Sequence, residues 1–489
     1  MCGIKGIRIA MLLLVMASPA FSAQDSSVLL EKAMYAEETL GKLNDAIAIY
    51  RQIIDTADTD RMIAATAIYR LGTCYRKLGN EAEALTAFST LARLYPEQRD
   101  LLAKSLFLSM KPAPWADGEV MRLSQKRIGT EYAGGALFGT YSVESGLEAG
   151  EPVWYLRYFI GSGRSPIYYS VTAADAETLL PIDGRIRRNQ TYLESKFGDN
   201  KIEVLNLEDG SQPARQIAST GAAYDAWQLV WILRRLPLQP GFEATVPVFE
   251  SSSGSFANVR FRVTGRETIT VPAGTFDCYK AVMISDDSLP NDQTFWITAD
   301  RHAYLARAHI DRINEFELHS IETVGKNQLA SFEIPGGAIS LSAPRQWYIT
   351  MISAITKTSP SGTAVNAGNA IYISAPDLNS ELSVTVSAVT PENQSPVKAP
   401  ATPVASVNGI EFLYQVLPGT RESVTLAGLT GERFIAEIRD GVSGDNIVQY
   451  TYRLSSPAKA YTFTFQTGKD SFDKMRSAFE SIMDSLKVK

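Results

Sequence analysis

Cysteine and histidine are scarce in this sequence. Its 489 residues include three of each. Histidine is the side chain that most often transfers protons or binds metal ions near neutral pH, so three leave few such arrangements. Three cysteines cannot form the dense disulfide framework of a small secreted domain. The composition therefore disfavours an enzyme centred on histidine and a disulfide-rich scaffold.

Positive charge and long apolar runs are also lacking beyond the start of the chain. The formal net charge is −6. Proteins that bind nucleic acid need a basic surface, so nucleic acid is not an expected partner. A membrane-spanning helix needs roughly 20 consecutive apolar residues, and no later segment approaches that length. The bulk of the chain is predicted not to span a membrane.

The first 22 residues have the features of a signal peptide. A basic start at Lys5 precedes the apolar run Ile9–Ala17, and small residues follow it. This run is too short for a stable anchor, so we expect cleavage before Ala23 or close to it. An uncleaved anchor is the alternative. The sequence predicts a periplasmic or secreted protein.

Of the three cysteines, one is predicted to be removed with the signal peptide and two to remain in the exported chain. Cys2 precedes the apolar run, whereas lipoprotein processing needs a cysteine directly after it, so lipid anchoring is not expected. Cys74 and Cys278 remain in the exported chain. Isolated cysteines usually behave as small buried hydrophobic residues, which is our expectation here. A bridge between the two is the alternative.

Residues 65–96 show the spacing of a helix–turn–helix repeat. Small residues stand where two helices must approach, large ones fill the space beside them, and proline follows the second helix. These positions are Leu71, Gly72, Tyr75, Ala84, Phe88 and Pro96. The pattern resembles the tetratricopeptide (TPR) repeat. Gly79 is predicted to end the first helix.

A second, degenerate copy of the repeat precedes this one. Gly41, Ala46, Tyr50 and Ile53 occur 38 positions before Gly79, Ala84, Phe88 and Leu91. We expect a third helix, Leu101–Met110, to cap the pair. Residues 24–110 are therefore predicted to form a TPR-like helical domain.

The TPR resemblance also implies a partner-binding face on the first helix of the good repeat. The matching positions are Thr66, Tyr69, Thr73 and Arg76. A protein partner is expected to bind there, and changes at Tyr69 or Arg76 are expected to abolish its capture without lowering stability. The alternative is a short helical spacer, because such arrays usually need three or more repeats.

Beyond Pro112 and Pro114 the sequence period changes from helical to that of strands. In Ala257–Thr264, apolar residues alternate with polar ones, as in a strand with one face on a core. Residues 115–325 are predicted to form an antiparallel β-rich domain. The predicted strands are Val153–Ile160, Pro166–Val171, Lys201–Leu207, Ala257–Thr264, Thr294–Thr298, Tyr304–Ile310 and Asn314–Ile321.

A single apolar helix, Ala223–Leu236, interrupts these predicted strands. Its aromatic and aliphatic residues follow helical spacing, and Pro237 ends it. Such a helix usually covers an open face of a sheet that would otherwise expose apolar surface. The alternative is a cavity between helix and sheet that carries a small apolar ligand, such as a lipid.

Three segments of this domain resemble a family of bacterial periplasmic domains without an assigned activity. They are Glu267–Ala281, Tyr224–Gly241 and Thr294–Asp300. The residues that carry the resemblance are turn formers and core aromatics. The resemblance therefore implies a fold and no catalytic chemistry.

The three histidines, His302, His309 and His319, fall in one predicted hairpin. With a turn at Asp311–Asn314, His309 would lie opposite Phe316 and the two later histidines on opposite faces, so they could not share a metal. No HExxH, Walker or GxSxG motif is present. We expect no catalytic residues, metal or cofactor.

Residues 330–489 are predicted to form an α+β domain. Its final helix, Ser471–Leu486, has apolar residues at three- and four-residue steps, and Ser471 or Asp470 is predicted to cap it. The order of elements resembles the PsbP-like family, to which the envelope protein DcrB belongs, and implies a binding or assembly module. The segment Thr390–Val407 departs from the family, because its prolines predict an extended loop. The predicted strands are Ala370–Ser374, Leu382–Val389, Gly409–Val416, Glu432–Arg439, Asn446–Leu454 and Ala460–Thr467.

The predicted fold class is thus multidomain α and β. TPR-like helical repeats come first, an antiparallel β-rich domain with one covering helix follows, and a PsbP-like α+β domain ends the chain. The predicted function is that of an exported, non-enzymatic interaction or assembly factor of a bacterial envelope. A carrier of a small apolar ligand in the middle domain is the alternative.

Overall fold

A computed structural model places most of the chain in two compact units, Met1–Ser105 and Leu106–Lys489. The predicted signal peptide lies outside the described residues. The predicted boundary near residues 325–330, inside the second unit, stays a prediction. The structure describes residues 23–56, 60–128, 137–161, 166–188, 191–207, 213–219, 221–285, 293–310, 312, 314–326, 328–334, 338–352, 356–358, 364–366, 370–376, 380–389, 404–407, 410–440 and 446–489.

The helices lie mainly in the first unit. A π-helical turn, Tyr35–Thr39, continues the first helix, and a 3₁₀ turn, Ala226–Gln228, precedes the sixth. The helices in the described ranges are α1 (Ala23–Met34), α2 (Leu43–Ile54), α3 (Arg61–Lys77), α4 (Glu81–Leu94), α5 (Arg99–Ser109), α6 (Leu229–Arg235) and α7 (Lys469–Asp484).

The strands all lie in the second unit. Those before residue 325 are β1 (Glu119–Arg127), β2 (Leu137–Glu148), β3 (Glu151–Gly161), β4 (Pro166–Asp175), β5 (Pro181–Arg188), β6 (Thr191–Phe197), β7 (Lys201–Asn206), β8 (Arg215–Ala218), β9 (Tyr224–Asp225), β10 (Glu243–Glu250), β11 (Ser255–Val271), β12 (Gly274–Ser285), β13 (Gln293–Thr298), β14 (Leu305–His309) and β15 (Asn314–Thr323). The later ones are β16 (Leu329–Ile334), β17 (Ile339–Pro344), β18 (Tyr348–Ile352), β19 (Thr356–Thr358), β20 (Ala364–Asn366), β21 (Ala370–Ser374), β22 (Glu381–Ala388), β23 (Val404–Val407), β24 (Ile410–Val416), β25 (Glu422–Leu426), β26 (Leu429–Asp440), β27 (Asn446–Ser455), β28 (Lys459–Gly468) and β29 (Lys487–Val488).

The ends of the repeat helices follow the predicted local chemistry. Gly79 has a φ of +78° just after α3, a conformation that glycine adopts without steric cost. Helix α4 ends at Leu94, shortly before Pro96. The predicted capping helix is α5. The predicted helical repeat is therefore confirmed in its elements and its turns.

The strands before residue 325 form one antiparallel succession, except for the short parallel pair β9–β10. Hydrogen bonding gives the order β8-β7-β6-β5-β4-β3-β2-β1-β15-β14-β13-β12-β11-β10-β9. Strands near one end pack on β10 near the other end, since Ile186, Leu193 and Phe249 share one buried cluster. The sheet therefore curves back on itself around an apolar interior.

The predicted covering helix is shorter than the sequence indicates. Tyr224 and Asp225 pair with β10 as a strand, and the Asp225 side chain then caps the 3₁₀ turn. Helix α6 begins only at Leu229, and all seven of its residues are buried. The apolar spacing predicted a covering helix correctly, but the strand pairing and the cap decide where it begins.

The last part of the chain forms a second group of strands covered by α7. Strands β18, β21, β22, β28, β27 and β26 follow one another, and β24 and β25 both pair with β26. Phe479 of α7 lies with its ring 4.0 Å from that of Phe465. The predicted cap is wrong: Gly468 is the N-cap, and no side chain caps the helix. Most of the predicted loop, residues 390–403, lies outside the described residues.

The two groups of strands are joined through β18 and β2. The backbone of Met351 pairs with that of Leu137, and the Tyr348 ring stacks on Phe159 at 4.7 Å between centroids. The buried Arg345 guanidinium lies 2.6 Å from a Glu144 carboxylate oxygen and donates to the Val324 carbonyl. Sheet pairing, ring stacking and an ion pair thus connect these strands within the second unit.

Candidate functional site

Helix α3 presents a stripe of exposed and half-buried residues along one face. The helix begins at Asp60, whose side chain accepts hydrogen bonds from the Met62 and Ile63 amides. Its buried residues include Ala65, Ile68 and Gly72. The exposed and half-buried residues of the stripe recur at steps of three and four, so they share one face: Met62, Thr66, Tyr69, Thr73 and Arg76. We call this set the α3 stripe.

The two threonines of the α3 stripe satisfy their own hydroxyl protons. Thr66 donates to the Met62 carbonyl at 2.7 Å, and Thr73 donates to the Tyr69 carbonyl at 3.1 Å. Such bonds to the preceding turn are a usual arrangement for threonine in a helix. The methyl groups and the hydroxyl lone pairs remain for an outside contact. This part of the stripe is therefore suited to apolar contact and to N–H donors.

Tyr69 is partly a packing residue. Its ring centroid is 6.3 Å from that of Phe88, and it packs against the buried cluster that contains Ala65, Leu91 and Leu102. Truncating this ring would remove core contacts. The packing argues against the expectation that Tyr69 can be changed without loss of stability.

Arg76 is the cation at the end of the α3 stripe. Its guanidinium is 3.8 Å from a Glu81 carboxylate oxygen, and its side chain is 36% exposed. An exposed pair at this distance contributes little energy, about 0–1 kcal/mol. The guanidinium can therefore leave Glu81 for an acceptor on a partner at small cost.

Helix α1 adds exposed apolar residues that sequence analysis did not select. Val28 is 61% exposed and Tyr35 is 56% exposed, seven positions apart and therefore on one face. The 38-residue shift between the repeats aligns them with Thr66 and Thr73. That shift was available in the sequence and could have identified both residues.

Exposed apolar side chains are concentrated in the helical unit. Six of the eleven large hydrophobic residues that are exposed in the described ranges belong to it. Apolar surface gathered in one region, as opposed to scattered singly, is typical of interaction sites. These six are Val28, Tyr35, Leu40, Met62, Leu78 and Leu94.

A buried carboxylate fixes α1 beside α3. Glu37, in the π-helical turn, accepts a hydrogen bond of 2.7 Å from the Tyr50 hydroxyl and another of 2.7 Å from the Lys77 ammonium. The Arg70 guanidinium lies 3.6 Å from the same carboxylate. Burial, and then the Glu37 hydrogen bond, raises the pKa of Tyr50. The network holds the two helices that carry the exposed residues in one arrangement.

The two remaining cysteines are both free and buried. Burial raises the pKa of Cys74 to about 12, and the Glu37 charge adds to the effect. Burial likewise raises the pKa of Cys278 to about 12. A thiol that stays protonated at neutral pH is a poor nucleophile. The expectation of small buried hydrophobic residues is confirmed.

The interior beneath α6 is lined by a file of aromatic rings. Trp115, Trp231 and Tyr141 follow one another at centroid distances of 5.5 and 5.9 Å. Tyr158 and Trp227 continue the file at 4.6 and 6.5 Å. Aromatic neighbours at these distances attract one another beyond their burial of area. These rings thus form one continuous aromatic lining between the covering helix and the strands.

Two buried arginines fasten the C-terminal end of α6. Arg234 lies 2.8 Å from a Glu119 carboxylate oxygen and donates to the carbonyls of Ala303 and His302. Arg235 donates to the carbonyls of Lys111 and Glu177. Buried guanidinium groups need such acceptors to offset their loss of hydration. These contacts anchor α6 to the turns around it.

The histidine hairpin has a different register from the predicted one. His309 pairs with Glu315, and Ala308 pairs with Phe316, so the prediction is wrong by one residue. The ring nitrogen of His309 lies 2.5 Å from a Glu315 carboxylate oxygen. This contact and the burial of Phe316 on the other face select the observed register. Among the described residues, no group of three or more acidic, histidine or cysteine side chains is arranged to hold a metal ion.

Two family models match the chain. The tetratricopeptide repeat model matches residues 66–97, which confirms the predicted repeat. A model described as a protein of unknown function, DUF3108, matches residues 155–313, inside the predicted β-rich domain. The comparison with curated proteins found no match.

Several solved structures are similar to parts of the chain. The solution structure of cyanobacterial PsbP from Synechocystis sp. PCC 6803 is 14% identical, with 35% of this chain and 98% of that one covered and a TM-score of 0.23. A β-barrel-like DUF1849 protein from Brucella abortus is 10% identical, with 43% and 99% covered and a TM-score of 0.27. TM-scores this low do not establish a shared fold.

A crystal structure from Bacteroides thetaiotaomicron VPI-5482 is 11% identical to this chain. The match covers 32% of this chain at a TM-score of 0.21, and it spans about half of that protein, 48%.

The described helices include none that is long and apolar enough to cross a membrane. The assignment of residues 330–489 to the PsbP-like family stays a prediction.

Proposed function

We propose that this protein is an exported, non-enzymatic interaction factor of the bacterial envelope that binds a protein partner through α1 and α3. The observation that carries the proposal is the partly exposed α3 stripe, most of which lies within a matched tetratricopeptide repeat. The exported location rests on the signal-like features of residues 1–22.

The proposed contact surface combines apolar area with one available cation. Val28 on α1 and Tyr35 at the start of the π-helical turn supply exposed apolar surface, and the threonine methyl groups of the α3 stripe add to it. Arg76 supplies a guanidinium whose present ion pair is weak. Aromatic and arginine side chains dominate the energy of many protein interfaces. We expect the partner to present an apolar segment with a carboxylate beside it.

Site-specific photo-crosslinking tests this proposal in the whole protein. A benzophenone amino acid placed at Thr73 should capture a defined envelope protein. The same probe at Thr86 is the matched control, because Thr86 also donates to its own helix and is exposed, but on α4. Equal capture at both positions, or none at Thr73, would contradict the proposed face.

A charge reversal at Arg76 tests the proposed cation. Arg76→Glu should weaken capture on the order of tenfold, the usual loss at an interface arginine. Arg93→Glu, at an exposed position of α4, is the matched control and should leave capture unchanged. A partner retained by a chain lacking residues 24–110 would move the binding function to the β-rich unit.

A carrier of a small apolar ligand is the second candidate function. The supporting observation is the aromatic file under α6, which continues from Trp227 to the partly exposed ring of Tyr168 at 5.8 Å between centroids. An apolar ligand could extend the file at that end. Native mass spectrometry of the purified chain should then show a co-purified lipid. If no lipid is found, this second function is rejected and protein binding is the only proposed function that remains.

A further inference from the structure

Asp225 fastens the N-terminal end of the cover formed by the 3₁₀ turn and α6. Its carboxylate accepts a hydrogen bond of 3.0 Å from the Trp227 amide and one of 2.9 Å from the Thr172 hydroxyl of β4. Its own amide donates to the Gln228 side chain. One oxygen lies so close to Gly184 of β5 that a Cβ there would be 2.6 Å from it. The carboxylate thus links the cover to β4 and β5.

The surroundings of this carboxylate are apolar or acidic. Asp225 is fully buried, and no ion pair joins it to a cation in the described part of the chain. The charged groups that act on it are Asp183 of β5 and Glu250 of β10, and both are acidic. Arg185 and Lys196 act on Asp183. β4 contributes the Thr172 hydroxyl, and the 3₁₀ turn contributes backbone N–H groups and the neutral Gln228 side chain.

Ionised Asp225 is therefore the weak point of the cover. A fully buried carboxylate with two acidic neighbours is destabilised relative to its neutral form, even though it accepts hydrogen bonds from the 3₁₀ turn and Thr172. The other end of α6 is held mainly by arginine hydrogen bonds to backbone carbonyls, which do not titrate.

We propose that Asp225 is a proton-operated latch, which fastens the 3₁₀ turn and α6 to the strands when protonated and loosens them when ionised. A protonated carboxyl keeps one oxygen for the Trp227 amide and donates its proton to the Thr172 hydroxyl oxygen. The only change is the gain or loss of one proton exchanged with water, and nothing is oxidised or reduced. The aromatic file beneath the cover becomes more accessible as the pH rises. This inference is independent of the proposed function of the helical unit.

The direction of the pH effect follows from the environment of the group. Burial raises the pKa of Asp225 from 3.8 to about 6 in the closed state. A carboxyl with a raised pKa binds its proton more tightly when closed, so the cover is most stable at low pH and loses stability as the pH rises through about 6. From these two values, the equilibrium constant for local opening should increase about tenfold between pH 5 and pH 7.5.

Hydrogen–deuterium exchange of the full chain tests the latch. After correction for intrinsic exchange rates, peptides covering residues 226–236 should open about tenfold more readily at pH 7.5 than at pH 5. Asp225→Asn keeps an acceptor for the Trp227 amide and mimics the protonated form, so its opening should be slow and independent of pH. Asp183→Asn removes one of the two acidic neighbours, so it should keep the pH dependence but move its midpoint to lower pH. Peptides of β27 and β28 report global unfolding.

Two outcomes would overturn the proposal. One is a wild-type opening constant that does not change between pH 5 and pH 7.5, or that changes in parallel with the β27–β28 peptides. The other is an Asp225→Asn variant that keeps the wild-type pH dependence. If Asp225→Asn fails to fold, Thr172→Val decides: loss of the hydroxyl that contacts the carboxyl in both protonation states should move the midpoint of the pH dependence, and an unmoved midpoint rejects the latch.

Discussion

Gly72 is the residue on which the close approach of α3 and α4 depends. A Cβ at this position would lie 2.4 Å from a ring carbon of the buried Phe88. The ring belongs to the core of the unit and has little room to move. The spacing of the sequence identified Gly72 as a contact point between helices, and the measured approach explains why a larger residue is excluded.

We predict that Gly72→Ala destabilises the helical unit. Overpacking costs about 1–3 kcal/mol, and the better helix propensity of alanine offsets up to about 1 kcal/mol. The expected net loss in free energy of unfolding is about 1–2 kcal/mol, measurable by thermal unfolding. Gly265→Ala is the control, since that Cβ would meet nothing within 4 Å. An equal loss in both variants would contradict the packing argument.

The histidine pair shows what residue-scale reasoning from sequence cannot provide. The composition of the hairpin was visible, but a shift of one residue decides which side chains share a face. The observed register places His309 against Glu315. Two similar turn lengths were compatible with the sequence, and only the contacts across the strands select between them.

Helix α7 illustrates an element whose existence is encoded locally. Its apolar residues recur at three- and four-residue steps, and the same face is buried against the sheet. Phe479 is fully buried and contacts both Phe465 and Trp347. The N-terminus was predicted less well, because no side chain marks it and the preceding strand β28 runs into it directly.

Phe479→Ala should weaken the docking of α7. Loss of a fully buried phenylalanine costs about 3–5 kcal/mol in free energy of unfolding. Phe472→Ala, on the same helix but only partly buried, is the matched control and should cost clearly less. Chemical denaturation followed by circular dichroism measures both. Similar losses would mean that α7 does not depend on the Phe479 contact.

Helix α6 is an element in which local pattern and tertiary context compete. The spacing of its apolar residues extends back to Ala223, yet Tyr224 and Asp225 are drawn into pairing with β10. Its two arginines also depart from the usual distribution, since charged residues are seldom fully buried. Their acceptors are backbone carbonyls and a carboxylate far away in sequence, which no local pattern reveals.

At the scale of the whole molecule, the chain consists of two compact units. The helical unit rests on contacts between residues near in sequence. The second unit includes pairings such as β1 with β15 and β2 with β18, which join distant segments. Because β18 pairs with β2, we expect the strands before and after residue 325 to unfold together.

Calorimetry of the intact chain should show two transitions. Gly72→Ala should lower only the midpoint of the helical unit, by about 4–8 °C for each kcal/mol lost in a unit of this size. Phe479→Ala should lower only the midpoint of the second unit. A shift of both midpoints in either variant would show that the units unfold as one, and a third transition would support a separate domain beyond residue 325.

The sequence by itself determined the features that depend on near neighbours: the helical repeat with its glycine contacts, the alternation along β11, and the amphipathic face of α7. Periodicity and turn chemistry encode these features within a few residues. Only the tertiary structure decided the register of the histidine hairpin, the stacking of Tyr348 on Phe159 and the burial of Asp225. Those depend on segments brought together by the curvature of a long sheet, and no spacing along the chain records that curvature.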